Sequence, residues 1–144
     1  MRRVDPGFAT EADQFESAFE YADIGMALVG LDGAFLRINE AFCRIVGIPA
    51  AVMLNLDFQS ITHPDDLDAD LNLLARLSSG EIQSYRLNKR YLHAEGHTVW
   101  VHLAVSMVRN PDGTPRHYVA QVQDQTDQRE VEAALSERDR KSVV

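Results

Sequence analysis

The sequence predicts an α+β domain, and three observations predict it. Apolar residues recur with a helical period near both ends of the chain, and large residues alternate with the period of strands over three long runs in its second half. Asp-Gly, Glu-Gly and Asn-Pro-Asp-Gly turns separate the extended segments. The resulting order is helix, two strands, a few short helices, three consecutive antiparallel strands, helix. No internal repeat or low-complexity tract interrupts it.

The bulk properties narrow the class. A chain of 144 residues suits one domain with short extensions. The net charge of −8 argues against nucleic acid as the main partner, because phosphate binding needs a basic face. Cys43 is the one cysteine, so no intramolecular disulfide can form. No apolar run approaches the roughly 18 residues needed to cross a bilayer. Arg2 and Arg3 are followed by no apolar stretch, so no signal peptide is read. A cytoplasmic location without a membrane partner is the expectation.

The first helix is read from Phe15, Ala18, Phe19 and Ala22, spaced i, i+3, i+4 and i+7, with Thr10 or Asp13 as its cap. Gly25 opens the apolar run Met26 to Leu31, and Asp32-Gly33 turns it into Ala34 to Ile38 as a hairpin. Asn39 caps a short helix carrying Phe42, Ile45 and Val46, which Gly47 ends. Thr62-His63-Pro64-Asp65-Asp66 starts the next helix, since proline suits the first helical position and acidic groups its positive end. Leu67, Leu71 and Leu74 line one face of it, and Gly80 ends it.

Strands are expected over Gln83 to Leu92, Val99 to Val108 and Arg116 to Gln123, with turns at Glu95-Gly96 and at Asn110 to Gly113. Thr126 or Asp127 caps a last helix, with Glu130 three residues after Asp127. Val131, Ala134, Leu135 and Arg138 share its face, and Glu137 and Lys141 form an i, i+4 pair.

Four phrases in this order resemble the PAS superfamily of sensory domains over about residues 13 to 128. They are Phe19 to Val29, Asn39 to Gly47, Ile61 to Asp66, and Trp100-Val101 together with the strand end Asp124-Gln125-Thr126. The resemblance implies a five-stranded antiparallel sheet with short helices on one face, flanked by the N-terminal and C-terminal amphipathic helices. It also implies a ligand cavity, and sensing or protein interaction in place of catalysis. The expected division is residues 1–22 as an N-terminal segment and capping helix, 23–127 as the PAS domain, and 128–144 as the start of a signalling helix.

Strand alternation selects the residues that would face the cavity. The sheet would contribute Tyr85, Leu87, Tyr91, Val101, Leu103, Val105, Tyr118, Ala120 and Val122. Met26, Leu28, Phe42, Ile45, Val46, Phe58, Ile61, Leu71 and Leu74 would form the opposite wall. Lys89 fits this set poorly and is expected beyond the helices or at a bulge. Two readings of these residues stay open: an apolar pocket with tyrosine hydroxyls to orient a small ligand, or an ordinary packed core.

Nothing in the sequence identifies a cofactor. Haem-binding relatives carry an axial histidine on the long central helix, and Asp65 to Ser79 contains none; His63 before it reads as a cap or surface residue. Covalent flavin photochemistry in the light-sensing relatives needs a cysteine near the start of the central helices. Here that stretch reads Ile61-Thr62-His63-Pro64, and Cys43 lies on an earlier helix as a structural thiol. Val122 stands where those relatives present a polar amide. His93, His97 and His102 flank one hairpin and His117 lies near the next turn, at offsets that match no familiar metal spacing. They read as surface residues, and no metal is expected.

Both ends of the chain need partners. Phe15, Ala18, Phe19 and Ala22, with Val131 and Leu135, are expected at a homodimer interface. The last helix is too short for a stable coiled coil alone and resembles a connector to a missing output domain, of histidine kinase or diguanylate cyclase type. Asp124 and Thr126 would anchor that helix where it leaves the sheet. The leading reading is a ligand-sensing input module; the alternative is a ligand-free dimerisation and relay module. No catalytic constellation supports an enzyme.

Overall fold

The computed structural model describes residues 10–142, with side-chain surroundings through residue 137. Residues 1–9, on which the leader reading rests, lie outside the described residues, as do the side chains of Arg138 and Lys141. The elements are α1 (Glu11–Glu20), β1 (Gly25–Val29), β2 (Phe35–Ile38), α2 (Glu40–Val46), α3 (Ala50–Met53), α4 (Phe58–Ile61), α5 (Pro64–Ser78), β3 (Ser84–Leu92), β4 (Thr98–Arg109), β5 (Pro115–Asp124) and α6 (Thr126–Ser142). The strands form one five-stranded sheet in the order β2-β1-β5-β4-β3. Each neighbouring pair is antiparallel.

Local chemistry sets the element ends. The Thr10 hydroxyl accepts the Asp13 amide while the Asp13 carboxylate accepts the Thr10 amide, a reciprocal cap for α1. His63 Nδ1 accepts the Asp65 amide at 3.1 Å, and Pro64 takes the first position of α5. At α6 the capping expectation is corrected. Thr126 is already helical, and its amide donates to Asp124 Oδ1 at 2.8 Å. Asp124, the last residue of β5, therefore does what Thr126 or Asp127 was expected to do.

Asn39 joins three elements while fully buried. Its side-chain oxygen accepts the amides of Phe42 and Met26 at 3.1 and 2.8 Å. Its side-chain nitrogen donates to the carbonyls of Phe19 and Ile24 at 2.8 and 3.0 Å. One residue thus caps α2 and fixes the ends of α1 and β1 to it.

The core lies between the sheet and α2 to α5. Val99, Val101, Leu103 and Val105 of β4, Tyr118, Ala120 and Val122 of β5, and Tyr85 and Tyr91 of β3 point into it. Three sequence assignments need correction. In β1 the buried set is Gly25, Ala27 and Val29, so Met26 and Leu28 face away from the helices. Both faces of this strand are apolar, and alternation alone cannot choose between them. Close approach of α2 decides it: a Cβ at Gly25 would come 3.1 Å from the Phe42 Cα.

On α5, Leu71 is 38 % exposed, and the inward face is carried by Asp70 and Leu77 with Leu74 beside them. At the N-terminal helix, Phe19 is 1 % exposed and packed within its own chain, with the Arg37 guanidinium 4.3 Å from its ring. It therefore belongs to the core and not to a subunit surface. Phe15, Ala18, Val131 and Leu135 are exposed, and Ala22 is half-buried.

Candidate functional site

The inward face of β3 alternates Tyr85, Leu87, Lys89 and Tyr91, and the lysine follows the alternation. The expectation that Lys89 lies beyond the helices or at a bulge is overturned, because it pairs in regular register with Val101 and is 1 % exposed. A buried ammonium needs partners. Lys89 Nζ lies 2.6 Å from Asp70 Oδ2 and 3.0 Å from Thr62 Oγ1. It also sits 4.5 Å from the ring centre of Tyr91 and 5.2 Å from that of Phe58. The Tyr85 hydroxyl donates to the second Asp70 oxygen at 2.6 Å, and Thr62 donates to the Phe58 carbonyl at 2.7 Å.

Burial pulls the Lys89 ammonium below the ordinary lysine value, and the Asp70 charge opposes that shift. Burial, reinforced by the same carboxylate, pushes the phenols of Tyr85 and Tyr91 above the ordinary tyrosine value. Both therefore remain hydroxyls, and Tyr85 stays a donor to Asp70.

This network borders a cavity of about 20 Å³ lined also by Val29, Phe35, Phe58, Leu74, Tyr91, Leu103, Val105, Tyr118 and Ala120. A water molecule needs about 10–15 Å³ of such space, so this cavity has room for about one. Phe42, Val46, Ile61, Val101 and Val122 pack elsewhere in the same core, with Ile45 and Leu87 against it. Met26, Leu28 and Leu71 do not reach it. Asp70 and Thr62 were missed by the sequence reading. The available signal was Lys89 itself, a cation on an aromatic inward face that requires a carboxylate across from it.

The next residue of β3 repeats the arrangement at the edge of the sheet. Arg90 donates from Nε and Nη2 to the two oxygens of Asp66, both at 2.9 Å, and its amide donates to Asp66 Oδ2 at 2.8 Å. The guanidinium hydrogen bond holds the Asp66 carboxyl below the ordinary carboxylate value. Adjacent cations on β3 thus hold carboxylates one turn apart on α5, one pair in the interior and one at the surface.

Arg90 also lies 5.0 Å from the ring centre of Trp100, its partner on β4. Arg129 of α6 lies 3.9 Å from the same ring. The Trp100 carbonyl accepts the Gln125 amide at 2.9 Å, and the Gln125 carbonyl accepts the Arg129 amide at 2.9 Å. The first turn of α6 is therefore seated on Trp100, while Asp124 and Thr126 bond to each other at its base.

The remaining polar candidates separate. Cys43 on α2 is half-buried, and burial, then Glu20, pushes its thiol above the ordinary value. His102 is hydrogen-bonded to Asn88 at 2.9 Å. His93 and His97 meet across the β3–β4 turn with ring centres 4.2 Å apart. Glu95 joins them, which sequence spacing alone did not suggest.

Comparison with known proteins agrees with this architecture. The profile of a family described as the PAS fold matches residues 35–122. The probable diguanylate cyclase DgcE of Escherichia coli K12 is 46% identical over 110 residues, covering 76% of this chain and 10% of that protein. The sensor histidine kinase TmoS of Ectopseudomonas mendocina is 25% identical over 129 residues, covering 90% of this chain and 13% of that protein. The chain thus spans only about a tenth of the length of these curated relatives. A PAS domain of a protein from Colwellia psychrerythraea superposes with a TM-score of 0.75 at 15% identity, covering 82% of this chain and 99% of that one. No helix among the described residues is long and apolar enough to cross a membrane.

Proposed function

Because the chain belongs to the PAS fold family, we propose that this sensory domain is an input module that passes a conformational signal through α6 to an output domain beyond the chain. The observation that carries this reading is the unbroken run of contacts from Asp66 through Arg90 and Trp100 to Arg129. The run begins one helical turn from the interior Asp70–Lys89 pair. A shift of α5 against β3 would move both carboxylates together, and the surface pair would carry that movement to α6. The names of the similar proteins support an output of diguanylate cyclase or histidine kinase type.

The module acts as a homodimer in this reading. Phe15 and Leu36 are more than half exposed on α1 and β2, and Val131 and Leu135 are exposed one turn apart on α6. A partner laid along α1, β2 and α6 would cover these exposed side chains. The division at residues 1–22, 23–127 and 128–144 describes the corresponding roles of cap, sensor and connector.

The test is to fuse a diguanylate cyclase catalytic domain after residue 144 and measure cyclic dinucleotide formation. Trp100→Ala and Arg129→Ala should change the output while the domain keeps its fold by circular dichroism. Equal output from wild type and both variants would remove the relay reading. A second reading concerns the ligand, and the cavity of about 20 Å³ favours it: a packed relay that takes its input from a neighbouring domain. Native mass spectrometry separates the two, since a retained small molecule adds mass and a packed relay gives the polypeptide mass alone.

A further inference from the structure

We propose that the β3–β4 turn is a binding site for a divalent transition-metal ion, with His93, Glu95 and His97 as its protein ligands and zinc as the representative ion. The turn builds the set from the backbone outward. His93 donates its amide to the His97 carbonyl at 2.8 Å, and the Gly96 amide returns to the His93 carbonyl at 2.9 Å. Gly96 adopts φ +99°, a left-handed conformation suited to glycine, and closes the turn tightly. The two histidines therefore stand opposite each other, with Glu95 between them in sequence.

One ligand atom from each of the three residues lies within 4.8 Å of the others. Among the described residues this is the one group of three such donors that comes so close. Donors on a tetrahedral zinc ion lie about 3.4 Å apart, given metal–ligand distances of about 2.0–2.2 Å. The two rings are stacked with their planes 20° apart, so binding requires the exposed His97 ring to swing out of the stack and the exposed Glu95 to turn toward the same point.

The donor chemistry selects the ion. Two imidazoles and one carboxylate suit zinc, nickel, cobalt or copper, whereas magnesium and calcium prefer sets built from oxygen. Three protein ligands leave at least one coordination position for water. His93 Nδ1 faces the turn, where it accepts the Glu95 amide at 3.1 Å, and coordination through it exchanges that hydrogen bond for the ion. The Cε1 side of the ring packs on Gly47, where a Cβ would come closest to Cε1, 2.6 Å from Nε2 and 3.1 Å from Nδ1. The Ala94 amide donates to the Val46 carbonyl at 3.0 Å. An ion in the turn would therefore stiffen a segment already fastened to the end of α2, far in sequence from the α6 junction.

The experiment is calorimetric titration of the untagged chain with zinc chloride, with cobalt(II) ligand-field absorption as the spectroscopic readout. The expected result is saturation near one ion per chain. His97→Ala and Glu95→Gln should each weaken binding, His97→Ala by more than about tenfold, a loss that outer-shell partners of metal ligands alone can cause. His102→Ala should bind as wild type does. Both His97 and Glu95 are exposed, so these variants should fold as wild type does. Absence of saturable binding, or equal affinity in wild type and His97→Ala, would overturn the proposal.

Discussion

Arg129, in the first turn of α6, lies 3.9 Å from the ring centre of Trp100 in β4, and the Trp100 carbonyl receives the amide of Gln125 just before that helix. Side chain and backbone together fix the direction in which α6 departs. A partly exposed cation–π contact contributes about 0.5–1 kcal/mol. Arg129→Ala should therefore cost no more than about 1 kcal/mol in urea unfolding. Trp100 is the single tryptophan, so its fluorescence should report the loss through a changed emission maximum or intensity. Unchanged emission would mean that the two groups are not in contact in solution.

The Asp70–Lys89 pair makes a sharper prediction about stability. Asp70→Ala strands a buried ammonium and leaves Tyr85 without its acceptor, a change that costs about 3–5 kcal/mol. Replacing both ions, as Asp70→Leu with Lys89→Met, removes the desolvation cost along with the attraction. The double variant should recover most of the stability lost in Asp70→Ala, because apolar replacements of buried ion pairs are often neutral or stabilising. Chemical denaturation of the variants checks this, and equal destabilisation of single and double variants would refute it.

The acid limb of stability should depend on Asp66. Hydrogen bonding to Arg90 holds this carboxyl below its ordinary value of 3.8. A carboxylate with a lower pKa in the folded state stabilises the fold above the unfolded value, and its contribution disappears as pH falls through the folded one. Wild type should therefore exceed Asp66→Asn at neutral pH and converge with it in acid below 3.8. The pair is partly solvated, so the neutral-pH difference should be about 1 kcal/mol or less. Unfolding curves over that pH range give the answer, and parallel curves would contradict the assignment.

Asn39→Ala should be among the costliest single substitutions. It removes two accepted and two donated hydrogen bonds from a fully buried position. Leaving buried amide and carbonyl groups unpaired costs about 1–3 kcal/mol for each group without a replacement partner. A loss above about 3 kcal/mol is expected in thermal or urea unfolding. A loss below about 1 kcal/mol would show that water or backbone adjustment replaces these bonds.

The features that sequence reveals here are those with local causes. Gly47, His63-Pro64 and the Glu95-Gly96 turn mark element ends through backbone chemistry, and the alternation of β4 and β5 assigns their faces correctly. β1 fails because both its faces are apolar, and only the approach of α2 over Gly25 distinguishes them. Leu71 fails for a related reason: the inward position on α5 belongs to Asp70, a residue that looks like surface until Lys89 is placed opposite it. The His93–Glu95–His97 cluster depends on the geometry of its turn and is invisible to ligand-spacing rules. Pairwise chemistry across the fold is where the local reading ends.

Hydrogen exchange on the chain reads out whether the interior of the domain communicates with α6. Amide protection across residues 126–137 would be compared between wild type and the Asp70→Leu/Lys89→Met variant. The exchange rate in α6 should change beyond any change in global stability, because losing the interior pair alters how α5 and Arg90 present Trp100 to Arg129. Identical α6 exchange in the two proteins, with the interior network removed, would contradict it.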